Sequence, residues 1–446
     1  MNIKEIQAYI TQRENDEQRF PYLTYGHDYY ISRNTAIMNR TKQVFYTDPD
    51  KPDQGTVQVN PFSANHKVPS GHFKKLVLQK VLYALGNGVL WNDATQAEKM
   101  NAYFPEITFN EYIIKAGVEA SKYGQAWTYA YIDNGQLVFA LADVKQLTPL
   151  YDEYGKLMAM AKSFKDGDKN VIHLFTKDGI DRYEAGRNGN FTLKAHFGHY
   201  AEYEVYNGQR ENATQKNFTM IPFIPLFNNA EQLSDLFPIK PLIDVYDIIH
   251  SDFANNIDDM QDIYMTVKGY SGEAKELAKF IKQLKTIKAV PVSDEGDVKT
   301  HQAEVPVQAR ETYLKRLEND IYNFAMGVNL KNLEGGSITN VYIKAQLSDL
   351  DLKCDQFESE VRQFINRLIA FLNENAGANL SNDYNFIRSS IVNESEQVDN
   401  TIKLTGLLSD ETLRAQLPYD IDEAKEKVRL ASQTAGVNLE GLDDEG

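Results

Sequence analysis

Two groups of carboxylates have the types and spacing that could do chemistry. Asp258, Asp259 and Asp262 cluster at the end of one predicted helix, and Asp349, Asp351 and Asp355 cluster on another. Acids that converge can hold two divalent ions, and two ions can drive phosphodiester hydrolysis. The same residues also read as solvated helix faces. A third reading is the acidic wall of a channel, which requires several subunits around an axis. Other chemistry is scarce. The sequence has no G-x-x-x-x-G-K-[ST] phosphate loop, no G-x-G-x-x-G and no H-E-x-x-H. His66 and His72 stand six apart, which is weak as a metal pair. Ser337 and Ser389 have no His and Asp partners legible from spacing. The single cysteine, Cys354, falls on the apolar face of a predicted helix and reads as core packing, not as a nucleophile. No catalytic residue, cofactor site or metal site is expected.

The chain that must position these residues has 446 of them, enough for two or three domains. Hydrophobic residues make up 42% and charged residues 25%, as in ordinary folded proteins. There are 26 Tyr and 22 Phe, and Tyr suits half-buried surfaces such as subunit contacts. One cysteine allows no internal disulfide, which fits assembly in a reducing cytoplasm. The start, Met1-Asn2-Ile3-Lys4-Glu5, is polar and unlike a signal peptide, and no stretch has the ~18 apolar residues of a membrane span. The net charge of −16 argues against tight DNA binding, which needs basic patches. DNA as a passing cargo is compatible with it, because an acidic lumen repels phosphate.

Ile3, Ile6 and Ile10 predict a helix ending before Pro21. Residues 45–62, with three prolines, read as a loop with one short strand. Phe73, Leu76, Val77, Lys80, Val81 and Ala84 form one helical stripe, stopped by Gly86. A second helix is expected over 109–123. From 126 to 227, short alternations are broken at Asn134-Gly135, Glu153-Tyr154-Gly155, Asp166-Gly167-Asp168, Lys177-Asp178-Gly179 and Asn188-Gly189-Asn190. These predict an antiparallel meander and an α+β first domain. A long helix over 238–262 has Ile239, Leu242, Ile243, Tyr246, Ile249, Phe253, Ile257 and Met260 on one face. Asp244, Asp247, Asn255, Asp258 and Asp259 lie on its other face. Residues 264–308 read as a small α/β insert: strands at 264–268, 289–292 and 298–302, a helix at 273–284, and 305–307 behind them. A helix over 311–326 follows, with Leu314, Leu317, Ile321 and Phe324 on one side. After a glycine-bearing break at 327–340 comes the longest helix, 341–375. Its stripe is Leu347, Leu350, Cys354, Phe357, Val361, Phe364, Leu368 and Phe371. A strand at 385–392, helices at 401–408 and 421–432, and a mobile acidic tail at 438–446 complete the reading.

Several segments in fixed order resemble the portal proteins of tailed bacteriophages, the siphophage type. The strongest run is Ile221-Pro222-Phe223-Ile224-Pro225-Leu226-Phe227-Asn228-Asn229, Ser234-Asp235, then Ile239-Lys240-Pro241-Leu242-Ile243-Asp244-Val245-Tyr246-Asp247. Upstream stand Tyr25-Gly26-His27, Asn65-His66-Lys67-Val68-Pro69, Phe73-Lys74-Lys75-Leu76-Val77, Gln79-Lys80, Leu85-Gly86, Ser121, Gly124, Ala126, Pro149, Tyr151 and Asp152. Downstream stand Val305-Pro306-Val307-Gln308-Ala309, the 347–354 helix start, Ile387-Arg388-Ser389 and Asn393-Glu394. The series covers nearly the whole chain, and its order is what makes it specific.

The resemblance implies a portal fold with wing, helical stem, small α/β clip and helical crown. Carried over, 1–233 is the wing, 234–263 and 309–326 hold the stem helices, and 264–308 is the clip. The tunnel loop is 327–340, 341–393 returns to the wing, and 394–446 is the crown with its acidic tail. The family implies a ring, usually of twelve copies, at one capsid vertex. Double-stranded DNA passes through it, without sequence preference, during packaging and ejection. Implied partners are the terminase large subunit, a head-completion or adaptor protein, and the major capsid and scaffolding proteins, with no membrane. The protein would sit in the virion after assembly in the host bacterial cytoplasm. Asn329, Lys331, Asn332, Glu334, Gly335, Gly336, Ser337 and Thr339 would face DNA. Asp258, Asp259 and Asp262 would line the channel. Lys282, Lys285, Ser293, Asp294, Glu295 and Lys299 of the clip would meet docking proteins. The segment Leu333-Glu334-Gly335-Gly336-Ser337-Ile338-Thr339 departs from the Phe-Gly and Ser-Gly pattern common in relatives, and the crown is short. The competing readings are a metal-dependent phage nuclease and a protein-only scaffold or adaptor.

Overall fold

A computed structural model describes residues 2–41, 43–47, 55–59, 64–186, 188–206, 209–259, 264–268, 297–301, 307–329, 331, 339–389, 394–415, 417 and 425–432. It divides into two compact units, 1–327 with 353–388, and 328–352 with 389–446.

The first unit opens with α1 (Ile3–Glu14), started by a capping box between Asn2 and Glu5. Then come α2 (Tyr22–Tyr30), α3 (Thr35–Met38) and the hairpin β1 (Gln43–Thr47) with β2 (Gly55–Val59). The loop expected over 45–62 therefore holds two paired strands where one was read. The predicted stripe becomes α4 (His72–Leu85), with every one of its six residues buried, Lys80 included. Gly86 ends that helix in a right-handed conformation, and the left-handed turn falls two residues later, at Gly88. Next are β3 (Val89–Trp91), α5 (Ala94–Asn101) and α6 (Phe109–Tyr123). Thr108 and Glu111 form the capping box of α6, and Gly124 closes it at φ +85°.

The meander is present as read. Its strands are β4 (Gln125–Asp133), β5 (Gln136–Ala142), β6 (Leu147–Tyr151), β7 (Leu157–Asp166), β8 (Lys169–Thr176), β9 (Gly179–Ala185), β10 (Phe191–Phe197), β11 (Tyr200–Tyr206), β12 (Gln209–Lys216) and β13 (Phe223–Phe227). Five of them form one antiparallel sheet in the order β10-β9-β8-β7-β6. β13 returns to pair with β4 in a second sheet, β13-β4-β5. Strand side chains alternate between faces, so both faces of the larger sheet are buried. Ala159, Ala161, Ile172 and Leu174 pack under Ile3, Ile6 and Ile10 of α1. Met160 and Phe175 pack with Trp127 and Phe223 of the smaller sheet.

The long helix α7 (Lys240–Asp259) follows, then the antiparallel pair β14 (Tyr264–Lys268) and β15 (Asp297–His301). The expected helix at 273–284 and strand at 289–292 lie outside the described residues. The next helix, α8 (Val307–Phe324), begins earlier than read and takes Val307, which was expected behind the strands. Leu317 and Ile321 are buried as predicted, but Phe324 is 61% exposed. Tyr322 and Ala325 occupy the inner side in its place. The chain leaves α8 through Met326 at φ +53°. Gly327 then passes so close to Leu76 that a Cβ would lie 2.4 Å from its Cδ2.

The longest helix, α9 (Asn340–Ala376), runs through both units, and all eight residues of its predicted stripe are buried. In the first unit it is followed by β16 (Tyr384–Phe386), three residues long, paired with β3. Within the second unit Thr339 Oγ1 accepts from Tyr342 N at 3.2 Å and caps α9. There α10 (Glu394–Lys403) takes in the first three residues of the helix expected at 401–408, and the chain then turns, with a bridge between Thr405 and Leu408. α11 (Asp410–Ala415) and a helical stretch at 425–432 complete it, joined by the Lys427–Glu411 ion pair at 3.0 Å.

Candidate functional site

The side chains of α7 reverse one expectation. Its buried positions are Ile239 just before it and Ile243, Asp247, Ser251 and Asn255 within it, each four residues from the last. Four residues bring a helix back to the same face. The stripe starts apolar and turns polar, so Asp247 and Asn255 are buried and not solvated. Val245 and Ile257, by contrast, are exposed. Burial of polar groups is costly unless they are bonded. Their partners come from an extended strap, 64–70. His66 N donates to Asn255 Oδ1 at 2.6 Å, Val68 N to Ser251 Oγ at 3.0 Å, and Ser70 N to Asp247 Oδ1 at 2.9 Å. Two extended residues advance about 6.6 Å and four helical residues about 6 Å, so alternate strap amides meet every fourth helix residue. Asn34 Nδ2 donates to the other Asp247 oxygen. Burial raises the Asp247 pKa despite these bonds.

At the start of α7, Asp244 accepts from Tyr29 OH and from Lys240 Nζ, the latter at 2.7 Å. Lys240 also lies over the rings of Tyr25 and Tyr29, at 4.7 and 5.2 Å. Burial works against its charge, but Asp244 and Tyr29 outweigh it and raise its pKa.

Below this lies a buried charge cluster. Lys80 Nζ sits 2.5 Å from Asp235 Oδ2 and donates to Asn228 Oδ1, also at 2.5 Å. Lys353 Nζ is 3.4 Å from Asp235 Oδ1 and donates to Ala325 O at 2.8 Å. Asn228 Nδ2 donates to Asp235 Oδ1 at 3.0 Å, and Lys80 lies 4.4 Å over the Phe357 ring. Burial alone would raise the Asp235 pKa, but the two lysines and Asn228 overcome it and hold it at about 2. Burial pulls Lys80 down to about 8. The loop carrying these groups is fastened to the end of α6. Asp235 N donates to Ser121 O at 3.0 Å, Ser234 Oγ to Lys122 O at 2.7 Å, and Asn228 N to Gly124 O at 2.9 Å. A Cβ on Gly124 would lie 2.2 Å from Gln232 O.

The residues singled out in the sequence fare differently. Asp258 is exposed and its Oδ2 is 3.1 Å from His66 Nε2, Asp259 ends α7, and Asp262 lies outside the described residues. Asp355 pairs with Arg388, which also donates to Glu358 at 2.7 Å. His72 packs edge-on against Tyr246 at 4.8 Å. Among the described residues, no three His, Cys, Asp or Glu side chains come together as a metal site. Cys354 is buried in the core as expected, with its thiol pushed up to about 12 by burial.

Asn329 is 7% exposed, and its Oδ1 accepts from Lys331 N at 3.3 Å. Lys331 and Thr339 are exposed, whereas Asn332, Glu334, Gly335, Gly336 and Ser337 lie outside the described residues. Lys299 stands in β15 opposite Thr266, while Lys282, Lys285, Ser293, Asp294 and Glu295 also lie outside. Among the described residues, no helix is long and apolar enough to cross a membrane. Sequence reasoning missed the joint role of Lys80, Asp235 and Lys353, and of Ser251 and Asn255. The four-residue repeat on α7 and a lysine on an apolar stripe were the marks they left.

The sequence matches the profile of a family described as phage portal protein, SPP1 Gp6-like, over residues 11–437. It is 25% identical over 469 residues to the portal protein of Clostridium phage phiCD119, covering 100% of this chain and 99% of that one. It is 25% identical over 472 residues to the portal protein of Bacillus phage SPP1, covering 100% and 90%. Among solved structures, a chain in the virion of a native gene transfer agent particle is similar at 11% identity and a TM-score of 0.44, covering 78% of this chain and 89% of that one. A chain in the neck of the native particle, computed with C12 symmetry, gives 10% identity and 0.43, with the same coverage.

Proposed function

The chain belongs to the SPP1 Gp6-like family of phage portal proteins, and from that premise we propose that twelve copies close into a ring at one capsid vertex. Double-stranded DNA enters through the ring during packaging and leaves through it during ejection. The ring also presents a platform for the terminase large subunit, a head-completion or adaptor protein, and the capsid and scaffolding proteins. It carries no catalysis of its own. The observation behind this reading is the family match over 11–437; residues of the segments that carry the sequence resemblance meet at two fastenings. Asn228, Ser234 and Asp235 join Lys80 and α6, while His66, Val68 and Asp247 join the strap to α7.

In this reading 1–233 is wing, α7 and α8 are the stem, 264–308 is the clip, and 394–446 is the crown. The loop 327–340 is the tunnel loop. Lys331, Asn332, Glu334 and Thr339 meet the passing backbone, whereas buried Asn329 shapes the loop's entry. A lone lysine beside an acid and amides gives weak contact to phosphate that ignores sequence, as translocation needs. The excess of acid elsewhere, −16 overall, keeps DNA from adhering.

Glycine reaches backbone conformations closed to other residues, so this reading assigns the sequence pair Gly335-Gly336 the role of letting the loop shift. Replacing both with proline should leave rings intact and cut DNA filling of heads by at least tenfold. Heads that fill normally with the double variant would refute a moving, DNA-facing loop.

A further inference from the structure

Strand β5 lies at one end of the sheet β13-β4-β5. Among the described residues it pairs with β4 alone, and no other group bonds to its main chain. Opposed residues of an antiparallel pair exchange bonds only at every second position. Ala130 of β4 turns the other way, its N donating to Pro222 O at 2.9 Å, so Phe139 opposite it is not bonded to β4. By the same alternation Phe139 and Leu141 aim N–H and C=O away from the sheet. A cavity lies on each face of this edge. On the side of α6 it measures about 570 Å³ and is walled by Tyr30, Ile114, Val118 and Tyr123, with Lys115 and Lys122. On the side of the larger sheet it measures about 500 Å³ and is walled by Tyr129, Phe164, Phe175 and Phe197, with Lys162 and His173. Leu141, Ala142 and Asp143 line both. Successive side chains of a strand point to opposite faces, so a strand laid beside β5 would fill the two cavities in turn.

The charged groups say what such a strand must carry. Lys122 already pairs with Glu119 at 2.6 Å, and Asp143 Oδ1 already accepts from Lys145 N at 3.0 Å. Lys115 and Lys162, one in each cavity, make no ion pair among the described residues. His173 Nε2 is buried without a hydrogen-bond partner among the same residues. Aromatic and aliphatic walls with a spare ammonium beside each suit apolar side chains flanked by carboxylates. On a chain of net charge −16, a place that attracts acid is distinctive. We propose that the edge of β5 docks an extended segment of a partner protein, which joins the sheet as a further strand and sets apolar and acidic side chains alternately into the two cavities. Main-chain bonds to Phe139 and Leu141 hold the segment, and the cavities with Lys115 and Lys162 select it. Nothing in this rests on ring closure.

The test measures binding of a fluorescein-labelled peptide, Glu-Glu-Phe-Ile-Glu-Glu, to the full chain by fluorescence anisotropy. This probe offers an apolar centre and flanking acids in either chain direction. It should bind about tenfold tighter than Glu-Glu-Ser-Ser-Glu-Glu. An N-methylated amide cannot donate, so methyl groups on alternate residues block one edge of the peptide. Of the two alternately methylated forms, one should lose binding and the other keep it. Leu141→Pro removes an outward N–H without touching the bonds to β4, and should weaken binding about tenfold beyond Leu141→Ala. Lys162→Glu should weaken it as well. No binding, or binding indifferent to methylation of either edge and to Leu141→Pro, would overturn the proposal. Binding to the free chain that vanishes in assembled rings would give the edge to a second copy and overturn the separate partner.

Discussion

Asp235 is charged deep in the protein because Lys80, Lys353 and Asn228 surround it. Removing its charge strands Lys80, which is 1% exposed, and takes the ion pair from Lys353. Asp235→Asn should therefore cost roughly 3 kcal/mol of stability. Pairing it with Lys80→Met should recover part of that loss, because the mate then leaves too. Acid should act on the same group. Its folded pKa of about 2 lies below the ordinary 3.8. The stability it contributes, about 2 kcal/mol, is thus fully present above pH 4 and lost as the pH falls toward 2. Thermal unfolding of wild type and Asp235→Asn from pH 6 to pH 2.5 checks this: the gap between them should narrow in acid. A constant gap would mean that the carboxylate is not the source.

At the scale of elements, the insert between α7 and α8 contributes the antiparallel pair β14–β15, a two-stranded ribbon among the described residues. Such ribbons are marginal alone and seek a third strand. Deleting 264–308 should leave a soluble chain that cannot hold a ring, and mass photometry would detect intact rings if this is wrong. The elements themselves differ in how plainly the sequence announces them. Asn134-Gly135 takes φ +48° and +84°, the turn its residue types demand, and each of the other predicted turns also joins two strands. The helix 109–123 was legible to the residue, because Thr108, Glu111 and Gly124 mark its ends. Periodicity was less reliable where the buried face is polar. The stripe Ile243, Asp247, Ser251, Asn255 repeats every four residues, but no hydropathy pattern marks it as interior. Phe324 misled for the opposite reason: an aromatic residue in phase with the core points outward, where hydropathy alone expects it inside. The charge cluster joins residues 80, 228, 235 and 353, and only the folded chain brings them together.

Over the whole molecule, no cluster of three His, Cys, Asp or Glu side chains forms within one copy among the described residues. Val245, Ile257, Tyr313, Phe324 and Leu352 are large apolar or aromatic side chains left exposed on long helices. Faces of that kind call for cover, and a ring supplies it through one patch meeting a different patch on the next copy. The −16 charge keeps free chains apart until those faces meet, so closure should be favoured by salt and by concentration. The most direct measurement is negative-stain electron microscopy of the purified chain, with its mass measured in parallel. The account predicts annular particles with a central hole and a mass near twelve times 50.8 kDa. Single compact particles at every concentration and salt level, with no annulus, would contradict it.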